Sequence, residues 1–100
     1  MEKCHVEKVL EEIGKKWNLI ILKKISEKPN IRFNQLNKEL KEITPRMLSN
    51  RLKELEDKKL IQKKTYSEIP PRTEYKLTKK AEELTKCFKY LDEWAEKYDL

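Results

Sequence analysis

At Leu60 the hydrophobic period of the chain changes from about 3.6 residues to 2, so a helix runs almost directly into paired strands. Upstream, Thr44-Pro45 combines an N-cap hydroxyl with proline at the first helical position, the clearest helix start in the sequence. Leu48, Leu52 and Leu55 follow at i, i+4 and i+7 and define the buried face of that helix. Downstream, Ile61 to Tyr66 and Thr73 to Leu77 read as two strands. Ser67 to Arg72 joins them, and Pro70-Pro71 stiffens the loop.

The remaining segments are helical. Val6, Val9, Leu10 and Ile13 form one stripe, followed by Gly14 in the position of a C-cap. From Lys15 to Lys28, Trp17, Leu19, Ile20, Ile21, Leu22 and Ile25 cover most of the circumference, which predicts a helix at the centre of the fold, ended by Pro29-Asn30. Ile31-Arg32 is a short extended link. Phe33, Leu36 and Leu40 then mark a short helix with Asn34, Gln35 and Asn37 facing outward. Thr78 caps a final helix with the stripe Leu84, Phe88, Leu91, Ala95 and Tyr98; Trp94 lies alongside, and Cys87 is expected to be a buried packing residue.

That order predicts one domain over 1–100, mainly α with a two-stranded β-hairpin. It is the order of a winged helix-turn-helix, with the helix pair at about 33–58 and the wing at about 60–78. In that arrangement the second helix of the pair enters the major groove of DNA, and the hairpin lies on the backbone or minor groove.

Charge and the helical wheel agree with this reading. Residues 15–79 carry 18 basic and eight acidic side chains, a net +10, while the two ends together carry −4. A basic block of that size is what a polyanion-binding face requires. With Leu48 at 0° on a wheel, Lys53, Arg46 and Asn50 fall at roughly 140°, 160° and 200°, opposite the core, and Ser49 at roughly 100° on the flank. All four side chains suit base edges or phosphates, and no acid occupies the outer face of the first half of the helix. Asn34, Gln35 and Asn37 are candidate phosphate contacts. In the wing, Lys63 and Lys64 are candidate backbone contacts, and Arg72, just after the prolines, is placed at the tip to enter a narrow minor groove. Tyr66 and Tyr75 are expected to close the hairpin against the core.

Other chemistry is excluded by scarcity. One glycine is too few for a phosphate-cradling loop, and one histidine, His5, leaves no nucleophile–base constellation. Cys4, His5 and Cys87 are short of ligands for a zinc site within one chain. No metal, cofactor or enzymatic activity is expected. The longest aliphatic run, Leu19 to Leu22, is four residues, against about twenty for a membrane span. The opening Met-Glu-Lys-Cys has no apolar stretch of a signal peptide. The expectation is a soluble, cytoplasmic protein.

The chain resembles the HxlR-type winged-helix transcription regulators of the wider MarR-like group. The resemblance rests on Cys4-His5-Val6-Glu7, Ile13-Gly14-Lys15-Lys16-Trp17, Arg32-Phe33-Asn34-Gln35-Leu36, Ile43-Thr44-Pro45-Arg46-Met47-Leu48-Ser49-Asn50-Arg51-Leu52-Lys53-Glu54-Leu55-Glu56 and Ile69-Pro70-Pro71-Arg72-Thr73-Glu74-Tyr75-Lys76-Leu77-Thr78, in that order. It implies a homodimer built from the first and last helices, about 5–13 and 79–98. Such a dimer sets one recognition helix on each half of a pseudo-palindromic operator in double-stranded DNA. It also implies that Cys4 is a candidate redox sensor, and a redox or small-molecule effector is a candidate partner. The chain departs from the family pattern at His5, where proline is usual, and at Lys59 and Ala81, where glycine is common. The competing reading is a winged-helix protein-interaction module with only nonspecific DNA affinity.

Overall fold

The computed structural model describes residues 4–100; the first three residues of the expected 1–100 domain lie outside the described residues. The elements are α1 (His5–Ile13), α2 (Asn18–Glu27), β1 (Ile31–Arg32), α3 (Phe33–Glu39), α4 (Pro45–Asp57), β2 (Ile61–Tyr66), β3 (Arg72–Leu77), α5 (Lys79–Thr85) and α6 (Phe88–Lys97). This is a winged helix-turn-helix in which α3 and α4 form the helix pair and β2 and β3 the wing.

The hairpin gains a third strand. β1 pairs antiparallel with β3, Ile31 opposite Tyr75 and Arg32 opposite Glu74, giving the sheet order β1-β3-β2. The expected two-stranded hairpin is therefore a three-stranded sheet. Two residues are too short to show an alternating period, and their pairing depends on a partner more than forty positions away. Within the hairpin, Ile61 faces Leu77 and Tyr66 faces Arg72, a register that turns Ile61 and Tyr75 into the core. Burial raises the Tyr75 phenol above its usual value.

Ile21, Leu22 and Ile25 of α2 pack with Leu36, Leu48, Leu52, Leu55 and Ile61 at the centre, all nearly free of solvent contact. The helix is less enclosed than its composition predicts, since Leu19 and Ile20 remain partly exposed on its outer side. It also starts later, at Asn18, because Trp17 takes a left-handed conformation, φ 84°. Gly14 is the C-cap of α1, as the sequence predicts, with an ordinary right-handed φ of −76° and its amide on the Leu10 carbonyl. The glycine is required by space, because a Cβ there would overlap the Leu10 carbonyl.

Helix α4 starts as the sequence predicts, with Thr44 Oγ1 accepting from the Met47 amide at 3.1 Å and Pro45 in the first turn. It ends with Lys59 in the left-handed region, φ 61°, while the Leu60 amide donates back to the Leu55 carbonyl at 3.0 Å. This is the helix-ending geometry that usually takes glycine. Thr78 caps α5 and donates its hydroxyl to the Lys59 carbonyl at 2.7 Å, tying the last helices to the end of α4.

The single final helix expected over 79–98 is two helices. Around Lys86-Cys87 the bonding tightens to i→i+3, with the Cys87 amide on the Leu84 carbonyl and the Tyr90 amide on the Cys87 carbonyl. The tighter turn lets both Ala81 and Phe88 reach the core while α6 leaves it. Cys87 is exposed there, contrary to its expected burial. Of α1 only Ile13 is buried, and of α6 only Phe88. The radius of gyration is 14.7 Å, against about 13 Å for a compact chain of this length. Both end helices stand off the body, exposing Val6, Leu10, Leu91, Trp94 and Tyr98.

Candidate nucleic-acid interface

The outer face of α4 carries Arg46, Ser49, Asn50 and Lys53, all exposed as the wheel predicts. Among the described residues none of the four makes a side-chain hydrogen bond or ion pair. Their neighbour Arg51 differs. It is half-buried and donates to Glu54 at 2.8 Å, and Glu54 also meets Lys15 at 3.3 Å. Acids thus neutralise the cation at the side of the helix and leave the outward ones free.

Helix α3 is tied to the turn before α4 by a contact that sequence reasoning misplaced. Asn37, expected to face outward, is half-buried and donates from Nδ2 to the Ile43 carbonyl at 3.1 Å. It bridges the turn before α4, where backbone acceptors have no helical partner. Asn34 and Gln35 do face solvent. Asn34 lines a cleft of about 490 Å³ with Ser49 of α4, Arg32 and the wing residues Glu68, Pro70 and Arg72. The cleft runs between α4 and the wing. Gln35 lies outside it.

In the wing the structure moves two residues from their expected places. Arg72 opens β3 opposite Tyr66 and is not a free arginine at the tip. Its Nη2 lies 3.4 Å from Glu68 and its Nε 3.3 Å from Glu74, and the guanidinium sits 4.0 Å from the Tyr66 ring centroid. Tyr66 does not close the hairpin against the core. It lies on the opposite face of the sheet from buried Tyr75, and Lys64 Nζ also approaches its ring, at 4.9 Å. The aromatic ring therefore orders two wing cations. Lys63 is exposed on β2. The loop tip itself is Ile69-Pro70-Pro71, with Ile69 fully exposed.

Arg32 is the cation that sequence reasoning missed. It is exposed, has no side-chain partner among the described residues, and opens into the cleft beside Asn34 and Ser49. Its place depends on the pairing of β1 with β3, for which two residues of sequence carry no signal. Cys4 is exposed at the start of α1. Among the described residues no helix is long and apolar enough to cross a membrane.

Residues 12–99 match the HxlR-like helix-turn-helix family. An uncharacterised HTH-type transcriptional regulator of Methanothermobacter thermautotrophicus is 39% identical over 95 residues, covering 95% of this chain and 72% of that protein. The redox regulator HypR in its reduced form superposes with a TM-score of 0.86 at 33% identity, over 94% of this chain and 92% of that one. The reduced form of the transcriptional regulator YodB from B. subtilis gives a TM-score of 0.80 at 28% identity, over 98% and 95%.

Proposed function

The chain belongs to the HxlR-like helix-turn-helix family of transcription regulators, and from that premise we propose that it acts as a homodimer on a pseudo-palindromic operator. Arg46, Ser49, Asn50 and Lys53 of each protomer read base edges in the major groove. Arg32, Asn34 and Gln35 hold the phosphates beside the recognition helix, and Lys63 and Lys64 hold those along the wing. Arg72 joins them by exchanging Glu68 for a phosphate.

The observation that carries this reading is the pattern of pairing on α4. A side chain held by an internal acid would have to break that contact before meeting DNA, and the four outward groups have none to break. The dimer is supported by the end helices, whose exposed Val6, Leu10, Leu91, Trp94 and Tyr98 form apolar surface of the kind that marks an interaction site. Cys4, exposed on one of those helices, is in a position to couple thiol oxidation to dimer geometry.

Selection of bound sequences from a random duplex library at about physiological salt tests the proposal, because nonspecific binding is weak there. The expected result is an inverted repeat with half-sites about one helical turn apart. A folded protein that enriches no sequence would refute the operator and favour a protein-interaction role for the same face.

A further inference from the structure

We propose that a lysine-lined groove along the outer side of the hairpin is a second DNA-backbone surface, one that holds duplex flanking the site read by α4. The inference rests on the DNA-binding reading above. The groove, about 1140 Å³, extends from Tyr66 near the loop to Thr78 and Lys80 at the base of the hairpin. Lys59, Lys63, Lys64, Lys76, Lys79 and Lys80 line it, all exposed. Two acids, Glu56 and Glu74, line it as well, and Glu74 is already engaged by Arg72. Among the described residues Lys59, Lys63, Lys76 and Lys79 make no side-chain hydrogen bond or ion pair.

Three of these lysines sit where local physics disfavours lysine. Lys59 holds a φ of 61°, a region in which Cβ crowds the following carbonyl and glycine is preferred. Lys79 and Lys80 are the first two residues of α5, where free amides already carry partial positive charge and acids are preferred. Fold stability accounts for Lys80, whose Nζ donates to the Lys58 carbonyl at 3.3 Å, but not for Lys59 or Lys79. A polyanion in the groove does.

The chemistry narrows the partner. Lysine is a point charge without the planar fork by which arginine reads a base edge, so the surface suits backbone and not sequence. The lysines are spread along roughly 20 Å of hairpin and do not converge, which fits a run of phosphates better than a single phosphoryl group. At the loop end the groove is continuous with Lys63 and Lys64, which already serve the backbone in the reading above. Lys79 and Lys80 lie at the far end, so duplex that reaches them curves toward the protein.

The test compares two duplexes by fluorescence anisotropy, one trimmed to the selected site and one extended by about one helical turn on each side. The proteins are wild type, Lys76→Gln/Lys79→Gln, and a control with equal charge loss on the last helices, Lys86→Gln/Lys89→Gln. Extension should tighten binding by wild type and control at least about fivefold and steepen the salt dependence by about one to two, since each neutralised phosphate contributes about 0.9 to the slope. The groove variant should bind both duplexes alike and match wild type on the trimmed one. Should the double variant melt early, Lys79→Gln alone carries the comparison. An unchanged gain in the groove variant, or no gain in wild type, overturns the inference. Neither result touches the operator reading, which is scored separately by preference for the trimmed site over a scrambled one. Loss of that preference with the extension effect intact would remove the operator and keep the groove.

Discussion

Substituting Glu68 by glutamine is expected to tighten operator binding by the dimer about five- to seventyfold at physiological salt. Arg72 is shared between two acids that differ in exposure, Glu74 at 16% and Glu68 at 49% of the side chain. A phosphate approaching the wing displaces the outer one. Undoing an exposed ion pair of this kind costs about 0.2–1 kcal/mol. The displaced carboxylate then remains near the phosphate, where two like charges at about 7 Å repel by about 0.6 kcal/mol in water, roughly halved by screening at physiological salt. Glutamine removes both terms, about 0.5–1.3 kcal/mol per protomer and about twice that per dimer, with every 1.4 kcal/mol worth tenfold.

The assay is an anisotropy titration on the selected duplex, with Glu93→Gln on α6 as a control for net charge. That control should shift affinity less than about twofold, because exposed charges more than a Debye length, about 8 Å, from the DNA are largely screened. Unchanged or weaker binding by Glu68→Gln would mean that Arg72 does not meet DNA. An equal gain in the control would mean that only net charge was read.

Three further outcomes follow from the same geometry. Arg46→Ala should weaken binding to the selected site by about 1–3 kcal/mol with no change in melting temperature, and an equal loss on scrambled duplex would remove Arg46 as a base reader. Leu91→Ala/Trp94→Ala should shift the protein from dimer to monomer in sedimentation equilibrium, while an unchanged mass would place the dimer contact elsewhere. Tyr75, whose phenol is raised by burial, binds its proton more tightly in the folded than in the unfolded state. Its contribution is complete below the ordinary phenol value near 10 and is lost as pH rises through the folded value, so stability should fall above about pH 10. Urea midpoints at pH 8 and 11 should drop more for wild type than for Tyr75→Phe, and parallel drops would refute the attribution.

The sequence was legible where a signal is local. The Thr44-Pro45 cap, the stripe of Leu48, Leu52 and Leu55, and the period change at Leu60 each need only a few neighbouring residues, and they placed α4 and the faces of its side chains. What failed depended on distant partners. β1 exists only because β3 lies beside it. Arg32 gained its place in the cleft, and Arg72 lost its freedom at the tip, through the same sheet. Tyr66 and Tyr75 have similar surroundings in sequence, and only the register against Arg72 and Lys63 sends one to the cations and the other to the core. Asn37 looked like an outward polar residue until the Ile43 carbonyl came within reach of it. The division of the last helix has no proline or glycine to announce it. It arises because Ala81 and Phe88 must both be buried.

On the proposed reading, the division of labour on α4 would let such a regulator change its operator without losing its fold. Leu48, Leu52 and Leu55 supply the packing, at 0%, 2% and 0% exposure, and shortening any one to alanine costs about 2–5 kcal/mol of stability. The helix start is held by Thr44, and the turn before it by Asn37. None of these contacts involves Arg46, Ser49, Asn50 or Lys53. Changes at those four positions alter the exposed face of α4 while leaving core, cap and turn intact, and surface changes of that kind ordinarily move stability by no more than about 0.5 kcal/mol. Arg51 is the exception on this helix. Its bond to Glu54, which also meets Lys15, links α4 to the segment before α2, so substitution there acts on the position of the whole helix and not on one exposed side chain.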